Sequence, residues 1–283
     1  MASFTNFATL SYNGGTTNSN IVTGEILEAL TAVKTAVSAN YSAGDRITYA
    51  LSLVNTGTAA VTDYTVTDNL GGYTVGANTV YPLAYNAGTV RYYINGVLQT
   101  APTVTAGPPL TVTGLTVPAG GNAVLIYETT ATPVAPLATG SSITNTATIT
   151  GGGLTNPITA QATVETANSA DLTISKALSP TTVTENGQIT YTFVISNTGN
   201  TEATATGNVV VTDTFAPILR NIAVTYNGTA WTEDTNYTYN AATGVFTTLA
   251  GQITVPAASF TQNTDGTFTV TPGTAALVIT GTI

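Results

Sequence analysis

The chain carries two lysines, Lys34 and Lys176, and they fall at the same place in two copies of a repeated pattern. A solubilising role would scatter lysines over the surface. Strand alternation instead puts Lys34 on one face with Leu30 and Ala32, and Lys176 on one face with Leu172 and Ile174. Those faces are apolar, so both amines are expected in a core. The same alternation groups Asp68 with Tyr64 and Val66, and Asp213 with Val209 and Val211. It groups Asn145 with Ile143, Ala147 and Ile149, and Asn6 with Phe4, Ala8 and Leu10.

An amine, a carboxyl and a carboxamide in one apolar core are the parts of a spontaneous isopeptide bond. Desolvation favours the neutral amine and neutral acid over their charged forms. A neutral amine is a nucleophile. A carboxylic acid hydrogen-bonded to the asparagine carbonyl polarises it, and attack on that carbon expels ammonia. The expected bonds are Lys34 to Asn145 within the chain, promoted by Asp68, and Lys176 to Asn6 of another chain, promoted by Asp213. Such a reaction happens once, so the chain would modify itself rather than act as an enzyme. The alternative is a buried ion pair of each Lys with its Asp, with Asn bonded to backbone. That alternative does not explain why no other lysine occurs. Glu128 is a rival acid in the first copy, but its counterpart, Thr280, cannot serve.

The elements that position these groups are legible as a repeat. Ile-Thr-Tyr-Ala-Leu-Ser-Leu-Val-Asn-Thr-Gly (47–57) matches Ile-Thr-Tyr-Thr-Phe-Val-Ile-Ser-Asn-Thr-Gly (189–199). Val-Thr-Asp-Asn-Leu (66–70) matches Val-Thr-Asp-Thr-Phe (211–215), and Ala-Val-Leu-Ile-Tyr (123–127) matches Ala-Leu-Val-Ile-Thr (276–280). The first copy continues through Ser-Ile-Thr-Asn-Thr-Ala-Thr-Ile-Thr-Gly-Gly-Gly (142–153) and on to Thr166. The second reaches Ile283 without such a segment. A near copy stands at the start instead, Ser-Phe-Thr-Asn-Phe-Ala-Thr-Leu-Ser-Tyr-Asn-Gly-Gly (3–15). Residues 3–12 are expected to form one strand.

Threonine, valine and tyrosine favour pleated surfaces, and many short alternating runs bounded by Gly, Pro and Asn read as sandwich strands. Asn95-Gly96 and Asn227-Gly228 are hairpin signals. Gly24–Val37 has a helical pattern too, but its counterpart, Ala162–Leu178, reads as strand. The expected fold is all-β, with two tandem Ig-like or Greek-key sandwiches. Residues 1–28 form a donor strand or hairpin and linker, 29–166 a complete sandwich, and 167–283 a sandwich lacking its closing strand. The N-terminal strand of a neighbouring subunit would complete it, with Phe4, Asn6, Ala8 and Leu10 as the donor residues.

Charged residues make up 7% of the chain and the net charge is −9, so nothing here neutralises phosphates of a nucleic acid. No run of 18 apolar residues suggests a membrane span. The chain has no Cys and no His, which removes disulfides and the commonest general base and metal ligand. No cofactor or metal is expected. Met1 leads directly into strand-like sequence without a secretory signal pattern. Asn263–Thr267 has part of a calcium-loop pattern without its spacing, and reads as a turn. Trp231 with Tyr226, Tyr237 and Tyr239 could line a sugar-binding face, but aromatics on a sheet more often pack across strands.

A lysine near the first strand, Ile-Thr-Tyr with Asn-Thr-Gly, Val-Thr-Asp, and a closing Asn-Thr-Ala-Thr together resemble the repeat domain catalogued as domain of unknown function 11. The resemblance covers nearly the whole chain. It implies an extracellular β-sandwich with a structural role on bacterial cell or spore surfaces, and no defined ligand. The expected function is a fibre subunit whose partner is itself, joined head to tail by strand addition. The competing expectation is a two-domain adhesin or glycan-binding stalk.

Overall fold

The computed structural model describes residues 2–26 and 29–283. Two compact units divide the chain: residues 1–135 with 142–165, and residues 136–141 with 166–283. The short segment 136–141, assigned from sequence to the first sandwich, thus belongs to the second unit. Asn200 holds it there, donating from Nδ2 to the Leu137 carbonyl at 2.9 Å. The linker residues 27 and 28 lie outside the described residues.

An antiparallel hairpin opens the chain. β1 (Ala2–Asn6) pairs with β4 (Val22–Ile26), and β2 (Thr9–Tyr12) pairs with β3 (Gly15–Asn18). The single strand expected over residues 3–12 is therefore two. Asn6 pairs with Val22 and Thr9 with Asn18, so Phe7–Ala8 faces the three residues 19–21. That one-residue bulge is held by Ser19, whose Oγ accepts the Ala8 amide at 2.9 Å. Within Gly24–Val37, residues 24–26 and 30–36 are strand, as the counterpart implied.

The first unit is a sandwich of two six-stranded sheets. One has the order β13 (Val97–Leu98), β12 (Arg91–Ile94), β16 (Asn122–Ala131), β7 (Arg46–Asn55), β5 (Leu30–Ala36), with β11 (Leu83–Tyr85) also on β16. The other runs β14 (Thr103–Thr105), β15 (Leu110–Val117), β8 (Val61–Asp68), β17 (Ser142–Gly151), β18 (Ile158–Thr166), β6 (Asn40–Tyr41). A small hairpin, β9 (Tyr73–Val75) with β10 (Asn78–Val80), lies outside both. Alternation drives this layering: Ile47, Tyr49, Leu51 and Leu53 of β7 are buried, as are Ile143, Asn145, Ala147 and Ile149 of β17.

The second unit repeats the five-strand path of the first sheet, without a separate counterpart of β11. Its order is β19 (Leu172–Ser179), β20 (Gln188–Asn197), β28 (Gly273–Thr282), β22 (Arg220–Tyr226), β23 (Thr229–Trp231). Its other sheet is short: β21 (Thr212–Thr214), β25 (Val245–Thr248), β24 (Tyr237–Asn240). Asp213 pairs with Phe246 as Asp68 pairs with Leu110, which makes β21, β25 and β24 the counterparts of β8, β15 and β14. In the first unit the sheet continues from β8 into β17 and β18. In the second it ends at β21. A separate hairpin joins β26 (Ser259–Gln262) to β27 (Phe268–Thr271).

The pairing also corrects one match. Tyr49 faces Tyr127, and Tyr191 faces Ile279, so the counterpart of Tyr127 is Ile279 and that of Glu128 is Thr280. Both Asn-Gly turns have positive φ at both residues, the geometry of a two-residue hairpin with native twist.

The repeated Asn-Thr-Gly has a structural task. Asn55 donates to the Ala59 carbonyl at 2.8 Å and the Pro118 carbonyl at 3.1 Å, and accepts the Gly57 amide at 2.9 Å. Asn197 does the same with Thr201 at 2.8 Å, Pro256 at 3.0 Å and Gly199 at 2.9 Å. Each buried amide ties the end of its strand to carbonyls of two loops. The glycine is required because a β-carbon on Gly199 would lie 2.2 Å from the Ser169 carbonyl oxygen. Asn55→Ala leaves the Ala59 and Pro118 carbonyls and the Gly57 amide without this partner, a loss of roughly 2–3 kcal/mol in the first unit. Calorimetry should show that transition lowered, while the fluorescence of Trp231, in the second unit, reports an unmoved one.

Candidate functional site

Lys34 stands on β5, in one sheet of the first unit. Asp68 ends β8 and Asn145 lies on β17, in the other sheet. Ala147 pairs with Asp68, so Asn145 shares its inward face two residues along. The three groups therefore meet across the sandwich. Lys34 and Asp68 side chains are 0% and 1% exposed, and Asn145 is fully buried.

Lys34 Nζ donates to Asp68 Oδ2 at 2.6 Å. The Tyr127 hydroxyl donates to the same oxygen. Asp68 Oδ1 accepts the Leu70 amide at 3.0 Å. The amine also lies over two rings, 4.8 Å from the centroid of Tyr49 and 5.9 Å from that of Tyr127. Burial pulls the Lys34 pKa down to about 8, against the opposing attraction of Asp68. A neutral amine is thus accessible near physiological pH, which an ordinary lysine does not offer.

Asn145 is the anomaly. Neither its amide nitrogen nor its carbonyl oxygen has a hydrogen bond, and the nearby Tyr49 hydroxyl has none either. Each such buried group costs roughly 1–3 kcal/mol. The buried ion pair of Lys34 with Asp68 that the alternative named is present, but Asn145 is not bonded to backbone as that alternative had it. Glu128, the rival acid, lies away from this cluster, with Arg46 at 3.7 Å and its side chain 36% exposed.

The second unit brings together only part of this set. Lys176 Nζ donates to Asp213 Oδ2 and lies over Tyr191, Phe193 and Phe215, at 4.5, 5.3 and 5.5 Å from their centroids. Sequence alternation put Lys176 in a core, but its side chain is 40% exposed and that of Asp213 is 19% exposed. The cause is topological: the sheet stops at β21, where the first unit adds β17 and β18. β19 is correspondingly exposed along nearly its whole length.

The donor residues expected to be buried are all exposed in the single chain. Phe4 is 55% exposed and Leu10 64%, and Asn6 and Ala8 are exposed as well. Phe7, Tyr12, Ile21 and Val22 add further exposed apolar surface to the same hairpin. The Phe4 ring lies across Gly24, within 2.4 Å of where a β-carbon would sit. Other sequence signals have ordinary roles. Trp231 stacks on Tyr226 at 4.8 Å, and the Tyr226 and Tyr239 hydroxyls donate to backbone carbonyls. Asp265 accepts from Thr267 within the β26–β27 turn. Sequence reasoning used the Tyr in Ile-Thr-Tyr only as a repeat marker and gave Tyr49 and Tyr127 no part in the site. Their place opposite one another on inward faces was the available signal.

No family model matches the chain. No curated protein matches it. Among solved structures it is similar to the pilus backbone RrgB from Streptococcus pneumoniae, at 14% identity and TM-score 0.36, over 86% of this chain and 55% of that one. It is similar to BcpA, the major pilin subunit of Bacillus cereus, at 14% identity and TM-score 0.35, over 96% and 73%. The major pilin GBS80 of Streptococcus agalactiae, a C-terminal fragment, matches at 14% identity and TM-score 0.37, over 87% of each chain. Among the described residues no helix is long and apolar enough to cross a membrane.

The lowered Lys34 pKa has a signed consequence. Between about pH 8 and its ordinary value of 10.5 the unfolded chain holds the proton that the fold has released. The unfolded state then binds more protons, so stability rises with pH across that window and the advantage is absent below it. In an Asn145→Ala background, where no bond can form, the first unit should gain on the order of 2 kcal/mol from pH 8 to 10. Denaturant titration against the same variant carrying Lys34→Met isolates the effect.

Proposed function

We propose that this chain is a structural subunit of an extracellular fibre on a bacterial cell or spore surface. Subunits join head to tail by donor-strand complementation, and Lys–Asn isopeptide bonds lock them. One observation carries the reading. The second unit's sheet ends at β21 where the first unit's passes from β8 into β17 and β18, and the N-terminal hairpin repeats the β17 sequence while lying exposed. A missing strand pair and a spare strand pair in one chain are complementary. Strand addition between subunits would satisfy both in a polymer.

The register follows from the first unit. Ala147 stands opposite Asp68, and Ala8 is its match in the hairpin. Docked in the same register, Ala8 faces Asp213 of the partner subunit, and Asn6 reaches the amine of Lys176. Asn145 pairs with Ala162 in β18 as Asn6 pairs with Val22 in β4, so both hairpin strands would add, extending β21 by two. Phe4 and Leu10 would be buried on docking, contributing about 25 cal/mol for each Å² of apolar surface covered. The competing adhesin reading finds little support, because the aromatics it would use already pack on one another and on backbone.

Negative-stain microscopy of purified protein should show fibres, and deletion of residues 1–26 should leave monomers. The fibres should resist boiling in detergent and run as a ladder. Lys176→Ala and Asn6→Ala should still assemble, then fall to 28.7 kDa subunits on heating. Wild-type fibres that dissolve fully to monomers would remove the intermolecular bond from this account. In the first unit, a Lys34–Asn145 bond lowers intact mass by one ammonia, about 17 Da. It closes a loop of about 110 residues, so Lys34→Ala should restore the mass and lose roughly 4–5 kcal/mol of stability, by analogy with a disulfide.

A further inference from the structure

Within the first site the two tyrosine hydroxyls are not equivalent. Tyr49 and Tyr127 face each other across β7 and β16, with ring centroids 5.8 Å apart. Tyr127 commits its proton to Asp68 Oδ2. The Tyr49 hydroxyl is buried and makes no hydrogen bond, and both polar atoms of Asn145 are in the same condition. The Asn145 amide lies near enough to both hydroxyls to act on them, though no bond of proper geometry joins them. Catalytic hydrogen bonds are often long in the resting state and tighten as charge develops. Burial, and then the charge of Asp68, raise the Tyr49 pKa, so the hydroxyl keeps its proton at any working pH.

The repeat supplies an independent reason to separate the two. Lys34 pairs with Leu51 and Lys176 with Phe193, in each case two residues after the tyrosine of Ile-Thr-Tyr. Each amine lies over that tyrosine's ring, at 4.8 Å for Tyr49 and 4.5 Å for Tyr191. The position of Tyr127 is Ile279 in the second unit. The tyrosine common to both sites is therefore the one whose hydroxyl, in the buried site, has nothing else to do.

We propose that Tyr49 is a catalytic residue of the cross-linking reaction, donating its hydroxyl to Asn145 Oδ1 as negative charge develops there. Tyr191 would serve the second site in the same way, and Tyr127 is a positioning residue that orients Asp68. The proposal rests on the isopeptide reading above. Neutral Lys34 Nζ attacks Asn145 Cγ, and the carbonyl electron pair moves onto Oδ1, where the Tyr49 O–H meets it. Asp68 serves here as the proton shuttle and not as the carbonyl-polarising acid expected from the sequence, because Asn145 Oδ1 accepts no hydrogen bond from it; it takes a proton from the attacking nitrogen and delivers it to Nδ2. The Cγ–Nδ2 bond breaks, the carbonyl re-forms, and one ammonia leaves. A primary amide and an amine become a secondary amide and ammonia, with no oxidant or cofactor. A fixed donor aimed at a developing oxyanion in a dry site accelerates such a step by about 100-fold or more.

The test follows the roughly 17 Da mass loss of the Lys34–Asn145 peptide pair over time in freshly synthesised full-length chain, since the amine's nucleophilic attack sets that loss. Tyr49→Phe should slow linking by about 100-fold, while Tyr127→Phe retards it less and shifts its pH profile. A 3-fluorotyrosine installed at position 49 alone, a more acidic phenol, should link faster than wild type. Melting of Lys34→Ala with and without Tyr49→Phe controls for folding, and the two should coincide. Linking of Tyr49→Phe at the wild-type rate, or indifference to the fluorine, overturns the role of Tyr49 and leaves the bond standing. A wild-type chain that never loses the ammonia overturns the bond itself, and this inference with it.

Discussion

The constraint on which this structure turns is an amine held out of water beside one carboxyl. Lys34 and Asp68 come from opposite sheets of the sandwich, so their contact exists only when both sheets close on each other. A buried pair of this kind is weak evidence for stability, because desolvation offsets most of the attraction. Hydrophobic residues of similar volume would hold the sheets at least as well. On the proposed reading the cluster is reactive apparatus: a lowered amine pKa, a carboxyl already bonded on both oxygens, and a carboxamide left without partners. Perturbed groups that converge on one unsatisfied group mark function more often than architecture.

The two units make a controlled comparison within one chain. They share the five-strand order of the first sheet, the Asn-Thr-Gly clamp and the Lys–Asp contact. They differ in whether the second sheet goes on past the aspartate strand. With that difference goes a sealed site, 0% and 1% exposed, in the first unit and an open one, at 40% and 19%, in the second. Burial of a lysine is thus decided by a neighbouring strand rather than by its own.

This is also where the sequence was legible and where it was not. Period-2 alternation located the strands, and the inward set Lys34, Asp68 and Asn145 could be read from it directly. Alternation reports which face a residue shares, not whether that face is covered, so Lys176 was put in a core although its side chain is 40% exposed among the described residues. The bulge at Phe7–Ala8 was invisible because it depends on the partner strand, where Ser19 supplies the Oγ that holds it. Matching the last repeat by residue type alone slipped one position, since Tyr and Thr both suit a strand. Only the hydrogen-bond register, with Tyr191 opposite Ile279, restored it. Tyr49 was passed over because a tyrosine on an inward strand face looks like packing until its hydroxyl is found without a partner.

The open site carries a built-in condition on its own chemistry. The Lys176 side chain touches Asp213 but is 40% exposed, where that of Lys34 is 0% exposed. On the proposed assembly, a docking hairpin would do two things in one motion. It would bring the Asn6 carboxamide to the amine, and it would cover the Lys176–Asp213 contact as the first unit covers that of Lys34 with Asp68. The reactive state would then arise only after correct strand registry, because a slip of one residue turns every side chain of the donor to the other face. A misdocked hairpin would present Thr5 or Phe7 in place of Asn6 and remain free to leave. Cross-linking in such a fibre would follow assembly instead of competing with it, and the covalent bond would record only those contacts whose geometry was right.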